Sequence, residues 1–263
     1  MTVGTSEANK FRALLTSNEF AAGMFSFIPA EAIVDIAGYA GFKYLIFDTE
    51  HASYDIQWIE RQVRACEAAG IASVVRVSHP DPYLIARILD TGADALMFAR
   101  VASAKAAEEI VGLVALPPAG NRGACPGSRA GQYFLMPQDE YTRRSNATAI
   151  VLMIETKEAL DDVDAIVRVP GLDALAVGPV DLSYSLGVHR EHPKVVEAQQ
   201  HVSRVAKAAG LNMMASAKTL DAMIELYRRP DGPRVFWYAT EAYQIGNAFR
   251  NLIDRSMELI RES

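Results

Sequence analysis

Eight short apolar runs, separated by longer amphipathic stretches, recur along the whole chain. They are "GMFSFI" (23–28), "YLIFDTE" (44–50), "SVVRV" (73–77), "ALMFARV" (95–101), "AIVLMIET" (149–156), "LDALAVGP" (172–179), "LNMMASA" (211–217) and "VFWYATE" (235–241). Most are nearly continuous in apolar residues rather than alternating, as parallel strands covered on both faces require. Four of the intervening stretches end in a glycine just before the next run, at Gly41, Gly70, Gly92 and Gly210. A glycine there can take the left-handed conformation that stops a helix and turns the chain back. Pro82 and Pro193 fall near helix starts, where a missing N–H costs little. Eight strand–helix units without a break in composition predict a single α/β domain over 1–263, a (β/α)8 TIM barrel. A doubly wound open sheet is the alternative. It normally carries a phosphate-binding glycine fingerprint after its first strand, and "GMFSFIPAEA" has none.

One piece breaks the rhythm. Residues 115–148 are too long for an ordinary connection and hold Arg122, Arg129, Arg143 and Arg144 among prolines and glycines. They read either as an ordered functional loop or subunit contact inserted in the barrel, or as a solvated excursion.

The chain has 263 residues, of which 50% are hydrophobic and 22% charged, enough to bury a sizeable core. Its net charge of −6 argues against a nucleic-acid or anionic-membrane partner, because phosphate surfaces are bound by a basic field. A small anionic substrate needs only a local positive site and stays open. Cys66 and Cys125 have the look of reduced thiols rather than a disulfide framework. No apolar run approaches the ~18 residues of a membrane helix. The first residues, "MTVGTSEANKFRALLTS", lack the basic and apolar regions of a secretory signal. The expectation is a cytoplasmic protein.

In barrels of this kind chemistry gathers at the carboxyl ends of the strands. Those ends carry Asp48, Glu50 and His51 on strand 2, Arg76 on strand 3, Arg100 on strand 4 and Glu155 on strand 5. Asp181 follows strand 6, Ser216 and Lys218 strand 7, and Glu241 strand 8. Glu155 and Asp181, from adjacent strands, can converge on one hard divalent cation such as Mg²⁺ or Mn²⁺, which favours oxygen ligands and keeps positions for a substrate. Such a cation would polarise a carbonyl and stabilise an enolate. Arg76 would add fixed positive charge at the developing oxyanion. His51 reads as a proton shuttle that Asp48 could orient. Each residue also has a plainer reading. Asp181 in "GPVDLS" could cap the helix that follows, Arg76 could pair with a structural acid, and His51 could bond only to backbone. His79, His189, His192 and His201 read as loop or surface residues, and Met213 and Met214 as core. The functional reading rests on the ensemble, because five charged groups aimed at one barrel end are costly without a task.

"FDTEHASYD", "VVRVSHPDP", "LPPAGNRGA", "MIETKEAL" and "AVGPVDLSYSLG" together resemble, in order and spacing, the HpcH/HpaI family of metal-dependent class II pyruvate aldolases. That family includes 4-hydroxy-2-oxoheptanedioate and 2-keto-3-deoxy sugar acid aldolases and the related macrophomate synthase. The resemblance runs from about residue 10 to the last helix. It implies that Glu155 and Asp181 hold Mg²⁺ or Mn²⁺, with Co²⁺ a further option. Arg76 would steady the enolate oxygen, and His51 with Asp48 would act as the acid/base dyad. The backbone N–H groups of Val180 and Asp181 would cradle the pyruvate carboxylate, with Met153 and Phe25 on the substrate wall. Glu50 would be structural. It further implies a homo-hexamer, a trimer of dimers in which the last helix packs on a neighbour. The chain departs from the pattern at Met153, where close aldolases carry Gln, at Phe25, where they carry Trp, at Arg100, and in strand 8.

The leading expectation is therefore a divalent-metal-dependent carbon–carbon lyase. It would cleave a 4-hydroxy-2-oxo acid to pyruvate and an aldehyde through a metal-bound pyruvate enolate, run the reverse addition, and decarboxylate oxaloacetate. A specialised enzyme of the macrophomate synthase type, adding the enolate to an unusual acceptor, is the first alternative. A non-catalytic barrel used for binding or assembly is the second. Lys218 leaves a Schiff-base route as a minor option.

Overall fold

The computed structural model describes residues 9–216, 219–230 and 232–262. Eight strands, β1 (Ala21–Ser26), β2 (Tyr44–Asp48), β3 (Ala72–Val77), β4 (Ala95–Phe98), β5 (Ala149–Ile154), β6 (Ala174–Val177), β7 (Asn212–Ser216) and β8 (Val235–Thr240), close into one barrel. Every neighbouring pair is parallel, including β1 with β8. This is the (β/α)8 barrel that the alternating runs predict: six strands are one to four residues shorter than their apolar runs, β1 is shifted by two residues and β3 is one residue longer.

The helices in chain order are α1 (Lys10–Thr16), α2 (Glu31–Tyr39), α3 (Ile56–Ala69), α4 (Pro82–Asp90), α5 (Ala104–Val114) and α6 (Gln138–Ser145). They continue as α7 (Lys157–Asp161), α8 (Val163–Ile166), α9 (Pro179–Ser185), α10 (Pro193–Ala208), α11 (Leu220–Arg228) and α12 (Glu241–Glu262). Asp55 caps α3 by accepting the Trp58 N–H, and Gly70 ends it at φ 72°, a conformation that costs other residues about 1 kcal/mol or more. Gly41, Gly92 and Gly210 also lie at positive φ, and Pro82 and Pro193 occupy the first turns of α4 and α10.

Two apolar layers follow from strand parity. Outward residues such as Leu45, Phe47, Val75 and Leu152 pack under the helices, with Ile59, Val63, Ile85 and Ile110 facing them. Inward residues fill the barrel itself: Ile46, Val74, Met97, Val151 and Met214, above a floor of Ala21, Ala72, Ala95, Ala149 and Ala174. That alanine floor leaves room that α1 fills from below. Asn9 caps α1 through the Arg12 N–H, and Phe11 and Leu15, one turn apart, point up into the barrel. Phe11 meets Tyr44 edge to face at 5.2 Å, and the buried Tyr44 hydroxyl donates to the Phe236 carbonyl at 2.8 Å. Gly23 leaves the volume that the Tyr44 ring occupies. Met214 is core, as expected, and Met213 packs against the outer layer.

Residues 115–148 hold a 3-10 helix, Arg129–Phe134, and α6, gathered around a small cluster of Leu116, Met136 and Tyr141. At the other extreme α12 buries only its first residue and leaves Phe249, Leu252, Ile253, Met257 and Ile260 exposed. No helix among the described residues is long and apolar enough to cross a membrane. Cys66 is buried, Cys125 is exposed, and both are free thiols.

Candidate active site

The inward parity that fills the barrel also builds its mouth. Ile46, Val74 and Met153 point into the interior, so the residues two places on, Asp48, Arg76 and Glu155, point inward one layer higher. All three are buried, at 0%, 8% and 2% exposure, so their charges must be met within the protein. Direct pairing of β2 with β3 sets Asp48 beside Arg76 in register.

Arg76 is held from three sides. Its Nε donates to Asp48 Oδ1 at 2.8 Å and a terminal nitrogen donates to Asp48 Oδ2 at 2.5 Å. Glu50 Oε2 lies 3.5 Å from the Arg76 Nε, and the Phe25 ring lies under the guanidinium at 4.6 Å. Phe25 is in turn braced edge to face by Trp237. A bidentate clamp over an aromatic face fixes the guanidinium plane, which a lysine could not reproduce.

Glu155 stands across the mouth. Its Oε1 accepts the Arg100 N–H at 2.6 Å, and Arg100 takes a left-handed φ of 55° where it makes that bond. Glu155 also needs the absence of a neighbour: a Cβ on Gly178 would sit 3.0 Å from the Glu155 Cβ and closer still to Oε2. Burial pushes the Glu155 carboxyl up to about 7, with Asp181 and Glu50 adding to the rise and the Arg100 N–H and Arg76 opposing it. A carboxylate held this way is short of positive charge.

Asp181 lies in the first turn of α9, whose N-cap is Gly178 and which no side chain caps. The plain reading of Asp181 as the capping residue is thus corrected. Val180 is 42% exposed, and both residues belong to the first turn, where helix N–H groups lack intrahelical partners. Met153 is buried directly below Glu155, its Cε 3.3 Å from where a Gly178 Cβ would stand.

His51 departs from expectation. Asp48 spends one oxygen on each Arg76 contact and also accepts the Glu50 N–H, at 2.9 Å, so its three hydrogen bonds go to groups other than the imidazole. The acid nearest His51 is Glu50, whose Oε2 is 3.7 Å from His51 Nε2. The structure thus sets His51 against Glu50, with the imidazole 57% exposed at the rim. Glu50, read from the sequence as structural, bridges Arg76 and His51. Its parity with Asp48 was the available signal. Glu241 is a second residue whose part the sequence did not disclose. Its buried carboxylate accepts the N–H groups of Phe27 and Ile28 at 2.6 and 2.5 Å and the Ser26 hydroxyl at 3.2 Å. Tyr54 donates to the Ile28 carbonyl, so the first, second and eighth strand ends are tied into one rim. Lys218 lies outside the described residues.

A family model described as HpcH/HpaI aldolase/citrate lyase matches residues 21–230, which span the barrel from β1 to the end of α11. The chain belongs to the HpcH/HpaI aldolase/citrate lyase family. It is 34% identical over 204 residues to a 5-keto-4-deoxy-D-glucarate aldolase of Enterobacter sp. (strain 638), covering 77% of this chain and 79% of the relative. An HpcH/HpaI family protein of known structure from Burkholderia cenocepacia superimposes with a TM-score of 0.87 at 29% identity, over 95% of this chain and 99% of that one. Macrophomate synthase shares the fold, with a TM-score of 0.83 at 21% identity over 97% and 89% of the two chains. Membership makes the protein an enzyme of an aldolase/lyase family, and the non-catalytic reading falls away.

The donor set at the mouth suits a hard divalent cation. Glu155 and Asp181 offer oxygen only, Asp181 lies near enough to raise the Glu155 pKa, and the backbone takes Glu155 Oε1 while Oε2 packs against Gly178. Among the described residues no group of three or more His, Cys, Asp or Glu is arranged to hold a metal. Glu155 and Asp181 would be the protein ligands there, with water and substrate oxygens supplying the rest.

Proposed function

We propose that this protein is a divalent-metal-dependent class II aldolase. It cleaves a 4-hydroxy-2-oxo acid to pyruvate and an aldehyde, runs the reverse addition, and decarboxylates oxaloacetate. The observation that carries the reading is the opposition of a clamped cation and an acid pair across one barrel mouth: Arg76 on β3 against Glu155 and Asp181 after β5 and β6. The similarity to a 5-keto-4-deoxy-D-glucarate aldolase supports a sugar-acid type of substrate.

Glu155 and Asp181 would hold Mg²⁺ or Mn²⁺. When bound, that cation supplies Lewis-acid polarisation of the 2-oxo group. The chain's own residues account for the rest. The first N–H groups of α9, at Val180 and Asp181, receive the substrate carboxylate at the positive end of the helix. Arg76 faces the C2 oxygen and gains attraction as that oxygen becomes anionic. A base takes the proton from the 4-hydroxyl, the C3–C4 bond breaks to release the aldehyde, and its electrons form the enolate across C2 and C3. Protonation at C3 then gives pyruvate. His51, at the rim with Glu50 3.7 Å away, is the proton carrier. Met153 and Phe25 close the apolar floor beneath the reacting atoms and exclude water.

The exposed stripe on α12 supports a homo-oligomer, up to the hexamer the resemblance implies, with this helix laid on another subunit. The two unpaired thiols suit a reducing compartment such as the cytoplasm.

The test measures oxaloacetate decarboxylation and pyruvate–aldehyde exchange with Mg²⁺ or Mn²⁺, before and after EDTA. Both activities are expected to vanish on chelation and return with metal. Full activity in EDTA, or in Glu155→Ala, would sink the proposal. Decarboxylation without exchange across a panel of aldehydes would transfer the assignment to chemistry of the macrophomate synthase type.

A further inference from the structure

A concentration of positive charge lies at the end of the barrel opposite the candidate active site. A cavity of about 180 Å³ opens beside the amino-terminal ends of β3, β4 and β5, where Ser73, Asp94 and Thr148 stand, and under the start of α1 at Asn9. Its lining includes five cationic residues, Lys10, Arg122, Arg129, Arg143 and Arg144, against two acids, Glu67 and Asp94. In a chain of net charge −6 that local excess calls for a reason.

Both lining acids are occupied. Glu67 pairs with Arg129, which also donates to the Thr91 carbonyl at 2.6 Å. Asp94 accepts the N–H and hydroxyl of Ser73, at 2.9 and 3.0 Å. Arg143 and Arg144 share the single acid Glu140, at 3.7 and 3.2 Å. Arg122 is the decisive residue. It is 7% exposed, and its Nε is buried with no hydrogen-bond partner. Its guanidinium reaches the Tyr141 phenol and feels Asp90, yet burial still lowers its pKa. A buried guanidinium with an unused donor is costly unless an acceptor arrives. The cavity it lines has room for one: a tetrahedral oxyanion accepts several N–H groups at once and matches the arginine fork.

We propose that this cavity binds a small oxyanion, inorganic phosphate or the phosphoryl group of a metabolite, at the end of the barrel remote from the candidate active site. The bound anion ties α1, the β3–β5 floor and the 115–148 segment together. It acts as a stabilising effector rather than as a substrate, in keeping with the role of that barrel face.

Calorimetric titration of the full chain with inorganic phosphate, and separately with glycerol 3-phosphate, decides it, both run at fixed ionic strength in chloride buffer. Saturable binding of at least one is expected, with a thermal midpoint that rises with ligand concentration. Phosphate alone would identify the free ion as the occupant, and tighter glycerol 3-phosphate binding would identify a phosphorylated metabolite. Arg143→Gln/Arg144→Gln, on the partly exposed helix α6, should weaken binding about tenfold or more, which is about 1.4 kcal/mol. Arg122→Met should abolish it, and the surface pair decides the matter if that variant does not fold. No saturable binding below about 10 mM overturns the proposal. So does an affinity unchanged by the surface pair, because the anion would then be bound elsewhere.

Discussion

Gly178→Ala offers the sharpest test of how Glu155 is placed. Gly178 has φ −84° and ψ 93°, which alanine adopts without strain, so the substitution acts through space alone. The new methyl would stand 3.0 Å from the Glu155 Cβ and 3.3 Å from the Met153 Cε, where ordinary contact begins at 3.4 Å. Glu155 must therefore retreat by at least 0.4 Å at Cβ (3.4 − 3.0), and by more at Oε2, the nearer atom. Met153 is a flexible thioether and can yield; Glu155 is pinned by the Arg100 N–H at 2.6 Å and cannot move without stretching that bond. Overpacking of this size costs about 1–3 kcal/mol of stability. A ligand displaced on the order of 1 Å costs about 10²-fold in turnover. The assay is kcat/KM for oxaloacetate decarboxylation across a metal titration, beside urea unfolding. The expected result is a protein that still folds, has weaker apparent metal affinity, and is about a hundredfold slower. Gly246→Ala is the control, since a Cβ there meets nothing within 4 Å in α12. Wild-type activity and metal response in Gly178→Ala would refute the assignment of Glu155 as a metal ligand.

Asp48→Asn leaves the buried Arg76 without its carboxylate and should cost about 3–5 kcal/mol in denaturant unfolding; a loss under 1 kcal/mol would show the clamp to be dispensable. Arg76→Lys keeps the charge but loses the fork, so kcat should fall about 10²–10³-fold with the chain still folded. Glu155 has a folded pKa near 7 against an ordinary 4.5, so the folded metal-free state binds the extra proton. Its stability should then fall as pH rises from about 4.5 to about 7, by on the order of 3 kcal/mol, and level off above that. The urea midpoint of EDTA-treated protein over pH 5–8 reports this, and Glu155→Gln should remove the slope; parallel curves would contradict it. On α12, Leu252→Asp/Ile253→Asp should yield a smaller species by light scattering, and an unchanged mass would show that the stripe makes no subunit contact.

The sequence alone determined the architecture. Eight near-continuous apolar runs, four of them entered from a stretch that ends in glycine, admit few folds other than a closed parallel barrel. The placement of Asp48, Arg76 and Glu155 at strand ends was legible too; that they point inward follows from Ile46, Val74 and Met153, two places before them, lying in the barrel interior. Local periodicity carries that much because it depends only on backbone geometry. Partnership was not legible. Whether Asp48 serves His51 or Arg76 depends on how β2 and β3 align across a sheet, and only that register gave Asp48 to Arg76 and left Glu50 for His51. The ties of Glu241 to Phe27 and Ile28 join residues more than two hundred positions apart, a closure visible only once β8 meets β1. The same holds for the α1 plug under an alanine floor and for the arginines of 115–148, whose number stands out along the chain but whose common target does not. They line a cationic cavity only because folding brings Lys10, Arg122 and Arg144 around one space. Sequence fixes which way a side chain points; tertiary structure decides what stands opposite it.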